Sequence, residues 1–253
     1  MTKLIYPTSP QAPKVLLRYA LTNGFRSTSK LLLTSVVGMW VISLVSYVIQ
    51  MNVEASGAAF IVNSLTGLLM ILFALVGVIQ CNALYSRHPV SDLKAMKIML
   101  SKVWITLLTL AFYCVIWLFV AWFLSHGLQS VYKPGSVFLG LVRIVLGFSY
   151  LFFFTATFLI LPLQMMTQKK TSHLVKQLLK VGTSHWVRCF LCLFSWIVIL
   201  ELLTGNLAFV LLPALIKVPF SMLVIKSVVA VLAVPVLISY TTLLAHDIDL
   251  RAA

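Results

Sequence analysis

The chain has 253 residues, 61% of them hydrophobic and 9% charged, with a mean hydropathy of +1.07, whereas soluble domains average about 45–50% apolar and about 25% charged residues. That composition excludes disorder and a soluble enzyme on a single anchor, and its long apolar runs exclude an outer-membrane barrel of roughly 10-residue alternating strands. Nineteen Lys and Arg face five Asp and Glu, a net charge of +14, but no aromatic–basic motif accompanies the charge and no nucleic-acid partner is expected.

A helix crosses the hydrocarbon with about 20 apolar residues. After a polar cytoplasmic segment at 1–30, the runs at 31–51, 57–85, 103–125, 136–166, 189–210 and 221–245 predict six spans, followed by a tail at 246–253. The first run is too long for a signal-peptide core and reads as a retained helix. Lys133-Pro134-Gly135 marks a turn between the third and fourth spans. Gly205, Asn206 and Pro213 interrupt the fifth, so 207–216 is expected as a broken or interfacial segment. The fold class is therefore all-α: a single polytopic membrane domain over 1–253.

With the N-terminus inside, fifteen Lys and Arg fall on the cytoplasmic face and only Lys133 and Lys217 on the other, while Arg143 and Lys226 lie within spans. Short basic loops stay cytoplasmic. The expected location is the inner (cytoplasmic) membrane, with both termini cytoplasmic.

The cytoplasmic segments carry helical patterning. Leu174, Val175, Leu178 and Leu179 recur on one face, opposite His173, Lys176, Gln177 and Lys180. Leu93, Met96 and Leu100 form a stripe flanked by Lys94 and Lys97, and Leu16, Leu17, Ala20 and Leu21 face away from Lys14 and Arg18. Helices of this kind lie in the headgroup plane with their cations toward lipid phosphate. Lys14, Arg18, Lys94, Lys97, Lys176 and Lys180 are the expected contacts with anionic lipid. The segments are spaced by 77 and 81 residues, which predicts three units, each an interfacial helix followed by a helical hairpin.

Residues 159–196, LILPLQMMTQKKTSHLVKQLLKVGTSHWVRCFLCLFSW, place a Pro near a span end, then a basic link, an amphipathic helix, a Gly turn, an aromatic and an Arg entering the next span. With similar lead-ins at 16–30 and 93–104, this pattern resembles small six-helix bacterial inner-membrane proteins related to the membrane domain of glycerophosphoryl diester phosphodiesterases. The resemblance implies fold and location. It does not extend to catalysis, because the outer loops are short and no phosphodiesterase catalytic domain is present among these residues.

Charge inside a bilayer is costly and needs a partner or an aqueous route. Arg143 lies about 10 Å below the outer start of its span and Glu201 about 18 Å above the inner start of its own, with Lys226 about five residues into the last span. These three form a candidate intramembrane charge cluster, an Arg143–Glu201 pair with Lys226 as a spare cation. Asn63 and Asn82 are expected to bond neighbouring helices, and Gly140 and Gly147 to permit close helix approach.

Catalytic chemistry is not in view: there is no Gly-rich phosphate loop, no G-x-S-x-G and no H-E-x-x-H. Cys189-x-x-Cys192 reads as packing, the five histidines lie at span ends or in loops, and His246, Asp247 and Asp249 make a poor metal set. No cofactor or metal is expected. The function expected is a non-enzymatic one, in membrane or lipid organisation or in the assembly of a membrane complex, with lipid as the first partner and a membrane protein or a second copy as another. The alternative is a small transporter or lipid carrier using the charge cluster.

Overall fold

The structure, a computed structural model, describes residues 6–31, 36–52, 56–122, 140–141, 144, 160–167, 176, 186–188, 190–191, 194–195, 198 and 219–252. All regular structure among them is helical. Five long helices are described: α1 (Pro13–Leu31), α2 (Val37–Asn52), α3 (Ser56–Tyr85), α4 (Asp92–Trp122) and α5 (Pro219–Ala252). A shorter helical run covers 160–166.

Helix α1 starts where the sequence sets it. Pro13 needs no amide partner at the first helical position, and the Ala12 carbonyl accepts from Val15 N at 2.9 Å and Leu16 N at 3.2 Å. The end of α3 is closed by a two-bond motif: His88 N donates to Ala83 O at 2.9 Å and Arg87 N to Leu84 O at 3.2 Å. Arg87 takes the left-handed conformation this requires (φ 62°), and Pro89 then prevents the helix from resuming. Ser91 opens α4, accepting from Lys94 N through its side chain at 3.4 Å and from Ala95 N through its carbonyl at 2.9 Å.

Helix α3 is the hub. It touches α1, α2, α4 and α5, and α5 in turn packs on α1 and α2. From Met70 to Tyr85 it is buried on nearly every side, through Met70, Ile71, Ala74, Leu75, Val76, Val78, Ile79 and Cys81. Of the described residues, Leu65–Tyr85, 21 residues of mean hydropathy 2.2, are long and apolar enough to cross a membrane, and Val37–Ser46 form a shorter apolar helix. Helices in hydrocarbon gain little from apolar burial and depend on close packing. Gly38 of α2 provides it, since a Cβ there would fall on the Phe73 ring of α3. Around Gly140 a Cβ would meet no atom within 4 Å among the described residues, and Gly147 lies outside them.

Two expectations need revision. The lead-in and third span are one uninterrupted helix, α4, about 46 Å long; its inward face is Ala95, Met99 and Thr106, while Leu93 and Leu100 of the expected stripe are exposed and Met96 is half-buried. The first lead-in, α1, packs on α5 and α3, burying Leu16 and Ala20 and leaving only Leu17 and Leu21 of its stripe outside. Its helix runs to Leu31, where the first span was expected to begin, and the next described helix starts at Val37, with 32–35 outside the described residues. Past the predicted sixth span, α5 continues into the 246–253 tail as far as Ala252, with Ala245, Asp247 and Ile248 buried.

Candidate functional site

Of the expected charge cluster, Arg143 and Glu201 lie outside the described residues, and Lys226 lies on α5 without a described side chain. Of the expected lipid contacts, Lys14, Arg18, Lys94, Lys97 and Lys176 are exposed, and Lys180 lies outside the described residues. Cys81 is a free, buried thiol. Among the described residues no group of three His, Cys, Asp or Glu could hold a metal ion.

The polar site the structure builds is a different one. Asp247, 2% exposed, accepts at Oδ1 from the Gln11 backbone amide at 2.7 Å. Its Oδ2 accepts from Arg188 Nε and from Arg251 Nε, both at 2.9 Å. Each arginine turns a second nitrogen to the Gln11 carbonyl, Arg188 Nη2 at 3.1 Å and Arg251 Nη2 at 3.3 Å. One carboxylate and the backbone N–H and C=O of one residue, Gln11, thus gather the N-terminal strap 6–12, the start of the predicted fifth span and the end of α5.

The strap has a second anchor. Tyr6 stacks on His246, ring centroids 3.9 Å apart, and tilts against Tyr85 at 4.9 Å. Its hydroxyl donates to Asn82 Oδ1 at 2.8 Å, and Tyr85 shares a 2.6 Å hydrogen bond with Ser239 of α5. Burial pushes the Tyr6 phenol well above its ordinary range, with Cys81 and Tyr85 adding to the effect. Burial also lowers the His246 imidazole, against a backbone bond to Pro7 and the charges of Asp249 and Asp247, which act to raise it.

Two further contacts join neighbouring helix ends. Gln80 donates to Asp92 Oδ1 across the α3–α4 connection at 2.5 Å. Lys102 of α4 donates to the carbonyls of Gln164 at 2.6 Å, Thr167 at 3.2 Å and Met165 at 3.4 Å. A helix C-terminus leaves such carbonyls unpaired and carries partial negative charge, and a lysine answers both. Burial holds the Lys102 ammonium below its usual range.

The sequence reading missed this junction. Asn82 was singled out as a bonding residue, although its partner is the N-terminal strap rather than a neighbouring span. The available signals were the scarcity of acid, five carboxylates against 19 cations, and the i,i+4 spacing of Asp247 and Arg251. The arrangement offers no nucleophile–base pair among the described residues; it fastens the N-terminal strap, Arg188 and the end of α5 to one carboxylate. No family model, curated protein or solved structure matches the chain.

Proposed function

We propose that the chain is a non-enzymatic multi-pass protein of the inner (cytoplasmic) membrane, with six spans in three hairpins and both termini cytoplasmic, of the same architectural type as the six-helix proteins it resembles. Its role is to engage anionic lipid in membrane or envelope organisation, or in assembling a membrane complex.

The observation that carries this reading is the outward face of α4. Trp104, Leu108, Phe112, Val115, Phe119 and Trp122 are each 57–74% exposed. They recur every 3.6 residues on average and cover 18 residues of rise, about 27 Å, against a hydrocarbon core about 30 Å thick. A tryptophan closes each end, where indole rings favour the membrane–water boundary. Beyond Trp104 come the exposed Leu93, Lys94, Lys97 and Leu100, a mixed apolar and basic surface suited to headgroups. A soluble protein rarely exposes so long an apolar stripe.

The helix-end contacts support the topology. In a six-span chain with an inside N-terminus, residues 6–11, 80–92, 102, 164–167, 188 and 247–251 all belong to the cytoplasmic side. The hydrogen bonds above join these segments to one another, as alternating hairpins require.

The test is extraction into native lipid particles followed by mass spectrometry of the retained lipid. Enrichment of anionic lipid that falls when Lys94, Lys97 and Lys176 become Gln supports the organiser role. Enrichment lost only on Glu201→Gln would favour a carrier built on the intramembrane charges.

A further inference from the structure

Resting on that membrane reading and deepening it, we propose that the outward face of α4 selects the bilayer by its thickness. Its partner is a hydrocarbon layer of about 27 Å or less, and in a mixed membrane it gathers shorter-chain lipid. The two indoles at the ends of the face carry the argument. Trp104 and Trp122 are 74% and 57% exposed and stand 18 residues apart, which is five turns of an α-helix. Both rings therefore leave the helix in the same direction, separated by a rise of about 27 Å. Leu108, Phe112, Val115 and Phe119 are exposed on the same face between them. An indole has an apolar body and a polar N–H, so it settles at the membrane–water boundary. Against an average hydrocarbon core of about 30 Å, this face is about 3 Å short.

The rest of the helix leaves little slack. From Asp92 to Trp122 α4 runs unbroken without Gly or Pro, so it has no kink with which to change its reach. Tilting only shortens what it covers: at an average tilt of about 20°, the indoles span about 25 Å along the bilayer normal. On the inner side Lys102 is tied to the carbonyls of Gln164, Met165 and Thr167, and Lys97 beyond it is exposed. Those cations hold that end out of the hydrocarbon. On the outer side Ser125 and His126 follow Trp122 in the sequence within about one turn. The constraint is thus one-sided. A thinner bilayer is met by tilt, whereas a thicker one must thin locally around α4, and shorter acyl chains allow that. Other exposed apolar positions, such as Val41 and Val45 of α2 or Val228 and Leu232 of α5, are aliphatic and mark no boundary.

The test places the full chain in vesicles of equal parts phosphatidylcholine with sixteen-carbon and with twenty-two-carbon monounsaturated chains. Extraction into polymer-bounded discs and mass spectrometry then compare the retained ratio with the bulk ratio. The sixteen-carbon lipid should be enriched by about two- to fivefold. Trp104→Leu with Trp122→Leu removes both boundary markers from exposed positions and should return the ratio toward bulk. Phe119→Trp with Trp122→Leu shortens the face by three residues, about 4.5 Å, and should raise the enrichment. Lys94→Gln with Lys97→Gln, which alters headgroup contacts alone, should leave it unchanged. Thermal unfolding of the unsubstituted protein in each pure lipid is a second readout, with the lower Tm expected in the twenty-two-carbon bilayer. Retention at the bulk ratio, enrichment of the longer lipid, or full enrichment in the double-Leu variant overturns the proposal, as do equal Tm values in the two lipids. A protein that does not stay in the vesicles removes the membrane reading and this proposal together. One that inserts without a chain-length preference loses this proposal alone.

Discussion

Arg188 Nε and Asp247 Oδ2 meet at 2.9 Å across 59 residues of chain, and the pair is nearly sealed from water at the carboxylate. It ties the entrance of the predicted fifth span to the end of α5, and the Gln11 backbone, bound to both residues, draws in the N-terminus.

Removing the carboxylate should therefore be costly. Asp247→Asn leaves two guanidinium groups facing each other, and breaking a buried pair costs about 3–5 kcal/mol. Because both arginines retain some water contact, about 2–4 kcal/mol is expected. Arg251→Gln, which removes the more exposed i,i+4 partner, should cost less than about 1 kcal/mol. Thermal unfolding of the two variants in native lipid particles gives the comparison; equal losses would contradict it.

Stability should fall with acid through His246. Burial lowers its folded pKa below the ordinary 6.5, so the contribution is complete above that value and is lost as pH falls toward the folded value. Strap amides should be less protected, relative to their intrinsic exchange rates, at pH 5 than at pH 7.5. His246→Phe keeps a ring beneath Tyr6 and should flatten the difference.

Gly38→Ala places a methyl on the Phe73 ring, where the Cγ atom would lie only 3.1 Å away. Overpacking of this kind costs about 1–3 kcal/mol. Phe73→Leu in the same chain should recover part of the loss, and a non-additive double-mutant cycle would establish the contact.

Lys102→Gln withdraws the ammonium from three carbonyls at the end of the 160–166 helix. A loss of about 1–2 kcal/mol is expected, concentrated in faster exchange over 160–167, with α1 and α5 unaffected.

Local signals made part of this legible in advance. The predicted run 57–85 and helix α3 agree in their bounds within one residue, because the apolar stretch has that length. The helix stop was less readable, since Arg87 occupies the left-handed position where glycine is usual. The α4 lead-in was read as a separate helix because its charge changes at Lys102, yet charge does not interrupt a helix that lacks Gly or Pro from Asp92 to Trp122. The contacts of the tail had no such local signal, since Asp247 meets Arg188 and Gln11 from 59 and 236 residues away. No periodicity encodes such a meeting.

The central claim is that the contacts around Asp247, Asp92 and Lys102 mark one membrane face and that Lys133 lies on the other. Single cysteines at Thr8, Ser91 and Lys133, introduced with the four native cysteines changed to Ser, can be labelled with an impermeant thiol reagent in intact and in opened cells. The account predicts that Lys133→Cys labels in intact cells and that Thr8→Cys and Ser91→Cys label only after opening. Labelling of Ser91→Cys in intact cells, or of all three from the same side, would contradict it.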